Sequence, residues 1–168
     1  PEIIIKLWKG LNLSLDEWKN YNLFKVGFWP GGDRDGNPFV TSEITLKVAN
    51  RLHKTILRCY HRDLRLLRRR LTFKGVDQKI LEAERKVYNT LYYPNEPTYK
   101  YADELIQDLQ KARKQLRDEH NGLFMDLLDC FILKVKMFGF NFASMDIRQD
   151  SRKHAYAWQE IIQQLKSK

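Results

Sequence analysis

Apolar residues at helical spacing set the strongest constraint on how this chain can fold. Ile44, Val48, Leu52, Ile56, Tyr60, Leu64, Leu67 and Leu71 recur every three or four positions, which places them along one face of a long helix. Thr41 stands just before the run and suits an N-cap. A stripe of that length must be covered by other apolar faces, so the chain has to fold around packed helices.

Further helices follow the same logic. One runs from about Asp77 to Tyr88. Another covers 99–119 and carries Leu105, Ile106, Leu109, Ala112 and Leu116 on one face. A more apolar helix covers 123–138 and closes at Gly139. The last begins near Ser151 and holds Ala155, Trp158, Ile161, Ile162 and Leu165. Pro94 and Pro97 mark a loop over 91–98, and Asn121-Gly122 breaks the chain between two of the helices. Before the first strand, the opening ten residues read as a short apolar helix ending at Gly10. Ser14 and Glu17 have the spacing of a capping box for a second one.

Two segments have strand character. Residues 23–29 are aromatic and β-branched with one glycine. Residues 140–148 alternate: Phe140, Phe142, Ser144, Asp146 and Arg148 fall on one face, and Asn141, Ala143, Met145 and Ile147 on the other. Each strand is followed by a helix, the pattern of parallel βα units. Two strands do not make a domain, so further strands are expected outside this piece. The chain also starts at Pro1, with no secretory pattern, which reads as a cut.

Composition narrows the class without naming a function. With 43% hydrophobic and 30% charged residues, a soluble folded chain is expected rather than a disordered one. No apolar run reaches the roughly 18 residues of a membrane span. Cys59 and Cys130 sit in apolar helical patterns and read as two buried thiols in a reducing, cytoplasmic setting. The net charge of +9 fits nucleic acid, a membrane surface, an anionic substrate, or a segment separated from its acidic neighbours. Much of the charge lies on the long helix, at Arg51, Lys54, Arg58, Arg62, Arg65, Arg68, Arg69 and Arg70. Aromatic residues are not interleaved with these, so a solvated or interdomain face fits better than a nucleic-acid reader. His53, His61, His120 and His154 show no ligand spacing and no serine or cysteine partner.

Two short motifs carry chemistry. The first is GGDRDGNP at 31–38. Its glycines allow left-handed turns and close approach to a ligand, and Asp33, Arg34 and Asp35 bring charge of both signs to the end of a strand. D-x-D-x-N imitates the start of a calcium loop. However, Pro38 stands where glycine is needed and Ile44 where the twelfth-position glutamate is needed. The spacing of a phosphate-binding glycine loop is also missing. Local chemistry alone favours a structural turn with Asp–Arg pairs. The second motif is DIRQDS at 146–151. Asp146 can orient Arg148, whose planar fork at the carboxyl end of a strand suits a phosphate or carboxylate. A structural Asp–Arg ion pair is the alternative.

Taken together, the two motifs resemble signature segments of phosphoenolpyruvate carboxylases. The family pattern is a strand, GGDRDGNP, then V-T and a helix; here Phe39-Val40-Thr41 follows Pro38. The second signature is F-G, a short strand, D-I-R-Q-E-S and a nearby histidine; here it is Phe138-Gly139, Asp146 to Ser151, and His154. Asp150 replaces the usual glutamate, and Pro30 stands where methionine is common. Between the motifs the likeness is weak, with Lys86 to Thr90 only suggestive.

The resemblance implies that residues 1–168 are a single internal segment of a larger chain. The expected fold is mainly α-helical with two short parallel strands, an excised part of an α/β, TIM-like barrel. It implies a carbon–carbon lyase that adds bicarbonate to phosphoenolpyruvate through carboxyphosphate and an enolate, giving oxaloacetate and phosphate. That is anaplerotic carbon dioxide fixation feeding the tricarboxylic acid cycle. It further implies magnesium or manganese in the full enzyme, with the metal carboxylates, the catalytic histidine of an H-P-T segment and a later glycine-rich loop all outside this chain. The family's phosphoenolpyruvate-contacting arginine falls on Arg148, with Asp146, Asp33, Arg34 and Asp35 in support. No catalytic set is complete here, so the segment alone is expected to be inactive and to bind no metal. The remainder of its own chain, and a homo-oligomer, are the expected partners, rather than nucleic acid or membrane. The competing reading is a stand-alone basic helical module for an anionic partner such as nucleic acid.

Overall fold

A computed structural model describes residues 25–166. Their order is β1 (Gly27–Phe28), α1 (Ser42–Arg70), α2 (Val76–Tyr92), α3 (Ala102–Glu119), α4 (Met125–Phe138), β2 (Ser144–Met145) and α5 (Ser151–Lys166). The fold is therefore mainly helical with two short strands, as the periodicity requires. The short helices expected before Asn20 lie outside the described residues.

The chain divides into two compact units. Among the described residues the first comprises Lys25 and Leu52–Phe142. There α1 buries Ile56, Leu57, Tyr60, Leu64 and Leu67, so the expected stripe is real over its C-terminal part. Ile44, at its start, is exposed. Leu57 is fully buried although it sits one position off the stripe, because a core-facing helix buries a band wider than a single row. Helices α2 and α3 pack together, as do α3 and α4. Val76, Ile80, Ala83 and Val87 of α2 meet Leu105, Leu109, Ala112 and Leu116 of α3 and Leu128, Phe131, Ile132 and Val135 of α4 in one core.

Most polar groups in this unit are matched; Glu84 Oε2 is buried without a hydrogen bond but lies 3.0 Å from Arg68 Nε. Arg113 grips Asp129 with two hydrogen bonds, Nε to Oδ1 at 2.5 Å and Nη2 to Oδ2 at 3.3 Å. A paired, planar contact is what makes a nearly buried charge tolerable. Asp108 collects Lys86 at 2.7 Å, Lys111 at 2.8 Å and the Tyr99 hydroxyl at 2.8 Å. Burial alone would raise its carboxyl, but the hydrogen bonds from Lys111, Lys86 and Tyr99 outweigh that and hold it at about 2. Tyr60 donates its hydroxyl to the Gly139 carbonyl at 2.7 Å, and His53 Nδ1 donates to the Phe140 carbonyl at 2.8 Å. Burial pushes the Tyr60 hydroxyl upward, with Cys59 and Asp63 adding to the effect. Cys59 and Cys130 are half-buried rather than buried and form no disulfide.

The second unit comprises Val26–Arg51 with residues 143–166. In it β1 and β2 pair in parallel, Gly27 with Ser144 and Phe28 with Met145. Thr41 caps α1: its hydroxyl accepts the Ile44 amide at 3.3 Å and its carbonyl accepts the Thr45 amide at 3.0 Å. Asp150 caps α5 in the same way, accepting the Arg152 amide on its carboxylate at 2.8 Å and the Lys153 amide on its carbonyl at 3.0 Å.

Several boundaries differ from those expected. The nine-residue strand over 140–148 shortens to Ser144–Met145. Gly139 at φ 53° and Phe142 at φ 65° turn the backbone first, and the Phe142 amide bonds back to the Phe138 carbonyl at 3.2 Å. The strand over 23–29 shortens to Gly27–Phe28, with 23 and 24 outside the described residues. Helix α2 continues past Tyr88 to Tyr92. There Asn89 binds the Pro97 carbonyl at 3.0 Å, and Thr90 accepts the Tyr99 amide at 3.0 Å. These tertiary bonds hold an end that local sequence does not mark. Helix α3 starts at Ala102 rather than 99, because Tyr101 is extended at φ −127° and ψ 151°.

Candidate functional site

The two motifs lie side by side. From β1 and β2 the parallel ladder continues through the Ser144 amide to the Val26 carbonyl at 2.9 Å and the Asp146 amide to the Phe28 carbonyl at 3.1 Å. Then residues 29–32 turn, with the Gly32 and Asp33 amides both bonding to the Trp29 carbonyl at 2.9 and 3.2 Å. Pairing resumes beyond the turn. Asp33 and Arg148 form a parallel bridge, in which the Arg148 amide donates to the Gly32 carbonyl at 3.0 Å and the Arg34 amide to the Arg148 carbonyl at 2.9 Å. Both backbone groups of Arg148 are thus consumed by GGDRDGNP, which satisfies them and pins the residue.

Glycine makes this approach possible. A Cβ on Gly32 would run into the backbone carbonyl of Asp146. Gly31 sits at φ 81°, where a Cβ would lie 2.7 Å from Val48 Cγ2 on α1. The motif's glycines therefore serve a close approach to protein backbone, at 32, and a left-handed turn against a helix, at 31.

The side chains fall into two groups. Arg148, Asp146 and Asp35 are exposed, and among the described residues none of them carries an ion pair. Asp146 lies close to Gly27, whose Cβ position is 3.4 Å from Oδ2. Asp33 and Arg34 are half-buried. The guanidinium of Arg34 is committed to α1, where Nη2 donates to Thr45 Oγ1 at 2.9 Å, and its Nε is buried without a hydrogen-bond partner. Arg34 and Arg148 are thus joined through the backbone, and no Asp146–Arg148 salt bridge forms among the described residues. Thr45 is the residue that sequence reasoning passed over. The one available signal was a second threonine one helical turn after the Thr41 cap.

The departure at Asp150 has a local explanation. Its shorter acid accepts both the amide and the guanidinium of Arg152. These bonds, the side-chain one first, hold its carboxyl below the ordinary range. Asp is among the strongest N-caps, which a longer glutamate is not.

The sequence profile of phosphoenolpyruvate carboxylase matches residues 1–92 and 74–168. This chain belongs to the phosphoenolpyruvate carboxylase family. Among the carboxylases it resembles, that of Histophilus somni is 31% identical over 92% of this chain and 22% of its own length. The carboxylase of Thermus thermophilus is 31% identical over 80% of this chain and 18% of its own length. That of Shewanella halifaxensis is 29% identical over 94% of this chain and 22% of its own length. The chain spans about a fifth of the length of the carboxylases it matches. The Shewanella halifaxensis alignment runs over 196 positions, more than the 168 present here, so that relative carries residues with no counterpart in this chain.

A family match across both halves of the chain leaves the stand-alone basic module without support. The basic residues of α1, from Arg51 to Arg70, are exposed, and Arg68 pairs with Glu84 at 3.0 Å. Among the described residues no helix is long and apolar enough to cross a membrane. Among them, too, no group of three or more His, Cys, Asp or Glu side chains is placed to hold a metal ion. The described residues therefore do not fit the divalent metal that such a carboxylase uses, and no chemical step is assigned to a metal here.

Proposed function

We propose that this chain is an internal segment of a phosphoenolpyruvate carboxylase and that it supplies Arg148 to hold the phosphate of phosphoenolpyruvate. The observation that carries this reading is the backbone clamp on Arg148. Both its amide and its carbonyl are bonded to GGDRDGNP, while its guanidinium is exposed and has no ion-pair partner among the described residues. A guanidinium on a pinned backbone is preorganised for an oxyanion, which is how charge developing in a transition state is stabilised.

The full protein then acts as a carbon–carbon lyase, adding bicarbonate to phosphoenolpyruvate to give oxaloacetate and phosphate in the cytoplasm. Asp146, Asp33, Arg34 and Asp35 support Arg148 through the ladder and the loop. Magnesium or manganese, the catalytic histidine and the remaining phosphate ligands belong to the rest of the chain, which completes the TIM-like barrel begun by β1 and β2. The full protein is a homo-oligomer, and the isolated segment has no carboxylase activity because the charge-stabilising set is incomplete.

A coupled assay for oxaloacetate tests both parts. The full-length protein should turn over phosphoenolpyruvate in a bicarbonate-dependent manner, and the 168-residue piece should not. An encoding gene without an upstream H-P-T segment and a downstream glycine-rich loop would overturn the reading, as would an inactive full-length protein.

A further inference from the structure

Thr45 stands on the second turn of α1, buried to 8% exposure. Its hydroxyl donates to the Gly31 carbonyl at 2.7 Å, with the Thr41 carbonyl at 3.1 Å as an alternative acceptor. The same oxygen accepts Arg34 Nη2 at 2.9 Å. One hydroxyl therefore fastens two points of GGDRDGNP to the helix, Gly31 through its backbone and Arg34 through its side chain. Val48, three residues along the same helix face, closes on Gly31 from the side, leaving no room for a Cβ there. The neighbouring residues of that loop, Gly32 and Arg34, make the two backbone hydrogen bonds that hold Arg148.

We propose that Thr45 is a positioning residue for Arg148. It sets the height of the 31–34 loop above α1, and the loop sets the place of the arginine. The inference rests on the reading of Arg148 as a phosphate ligand. A hydroxyl is required because only a group that donates and accepts at once can serve both the Gly31 carbonyl and the Arg34 guanidinium. Valine has the same shape and can do neither. It would leave a carbonyl and a guanidinium N–H without partners, and the loop would shift to satisfy them. Displacement of a substrate-holding group by about 1 Å costs roughly a hundredfold in rate.

The experiment is steady-state kinetics of full-length Thr45→Val, Thr45→Ala, Thr45→Ser and Arg148→Lys, each with its melting temperature. Thr45→Val should lower kcat/KM for phosphoenolpyruvate by roughly 10–100-fold, in kcat as well as KM, leaving saturation by bicarbonate unchanged. Thr45→Ser should restore most of the loss. The double variant Thr45→Val with Arg148→Lys should be little worse than Arg148→Lys alone, because both changes act through one side chain. If Arg148→Lys is impaired while Thr45→Val binds phosphoenolpyruvate normally, the Thr45 inference fails and the Arg148 reading survives. If Arg148→Lys itself is normal, the Arg148 reading falls, and this inference with it. If Thr45→Val and Thr45→Ala both fail to fold while Thr45→Ser folds, Thr45 is a stabilising residue and the positioning role is overturned.

Discussion

Asp33 and Arg148 sit opposite each other as a parallel bridge pair, although a turn over residues 29–32 separates that bridge from the two-residue strand β1. The ladder thus survives an interruption, and it resumes at the residue on which the proposed site depends. Hydrogen bonds on both sides of Arg148, to Gly32 and from Arg34, make its backbone position a property of the first motif.

The first prediction concerns that arginine in the full-length carboxylase. Truncation by Arg148→Ala should cost about 2–4 kcal/mol of transition-state stabilisation, by analogy with a lost oxyanion donor. Arg148→Lys keeps the charge and loses the fork, so it should remain impaired. Because the side chain is exposed, melting temperatures should hardly move. Unchanged turnover and unchanged phosphoenolpyruvate saturation would end the site assignment, and normal kinetics with lost stability would make Arg148 a structural brace.

A second prediction separates two glycines of the same loop. Gly32→Ala places a methyl group against the Asp146 backbone carbonyl, an overpacking that should cost about 1–3 kcal/mol and disturb the ladder. Gly36 has a left-handed φ of 69° but open space around it. Gly36→Ala should therefore cost only the conformational penalty of about 1–2 kcal/mol and leave Arg148 in place. Kinetics discriminate best: Gly32→Ala should raise KM for phosphoenolpyruvate, and Gly36→Ala should not. The opposite order would contradict the close approach.

Acid should weaken the helical unit through Asp108. Its carboxyl is depressed from 3.8 to about 2 by the hydrogen bonds of Lys111, Lys86 and Tyr99, acting against burial. A depressed acid stabilises the fold fully above its unfolded value. That contribution is lost as pH falls from about 4 through about 2. Because the site is partly solvated, it amounts to about 1–2 kcal/mol. Urea titrations of the chain and of Asp108→Asn should therefore differ at pH 6 and converge near pH 2. A gap that stays constant over that range would rule this out.

The last prediction is association of the isolated chain. Helix α5 leaves Trp158, Ile161 and Leu165 exposed by half or more; their spacing of three and four residues puts them on one helix face, and an apolar stripe of that kind calls for a partner. In light scattering the 168-residue chain should grow beyond a monomer as concentration rises, and Trp158→Glu with Leu165→Glu should reverse this. A clean monomer at high concentration would show that the stripe is tolerated in water.

Much of the helical architecture was determined by sequence alone. Burial at three- and four-residue spacing is a local property of each segment, so Ile56, Tyr60, Leu64 and Leu67 could be assigned to a core face before any fold was known, and they are buried. The cap at Thr41, the helix start near Ser151 and the break at Asn121-Gly122 were equally legible, since each depends on a few neighbouring residues, and two strand-plus-helix segments in sequence already implied parallel pairing. Tertiary structure decided what lies between distant residues. The alternation over 140–148 reads as a long strand, yet the turns at Gly139 and Phe142 leave room for two paired residues and one bridge. Nothing near Gly32 in the sequence announces that the carbonyl of Asp146 will fill the space of its missing Cβ. Nor does local sequence show that Arg34 will turn to Thr45 while Arg148 stands exposed without an ion pair among the described residues. Such contacts are selected by long-range packing and by the need to satisfy backbone groups across the fold, and a local pattern carries no record of them.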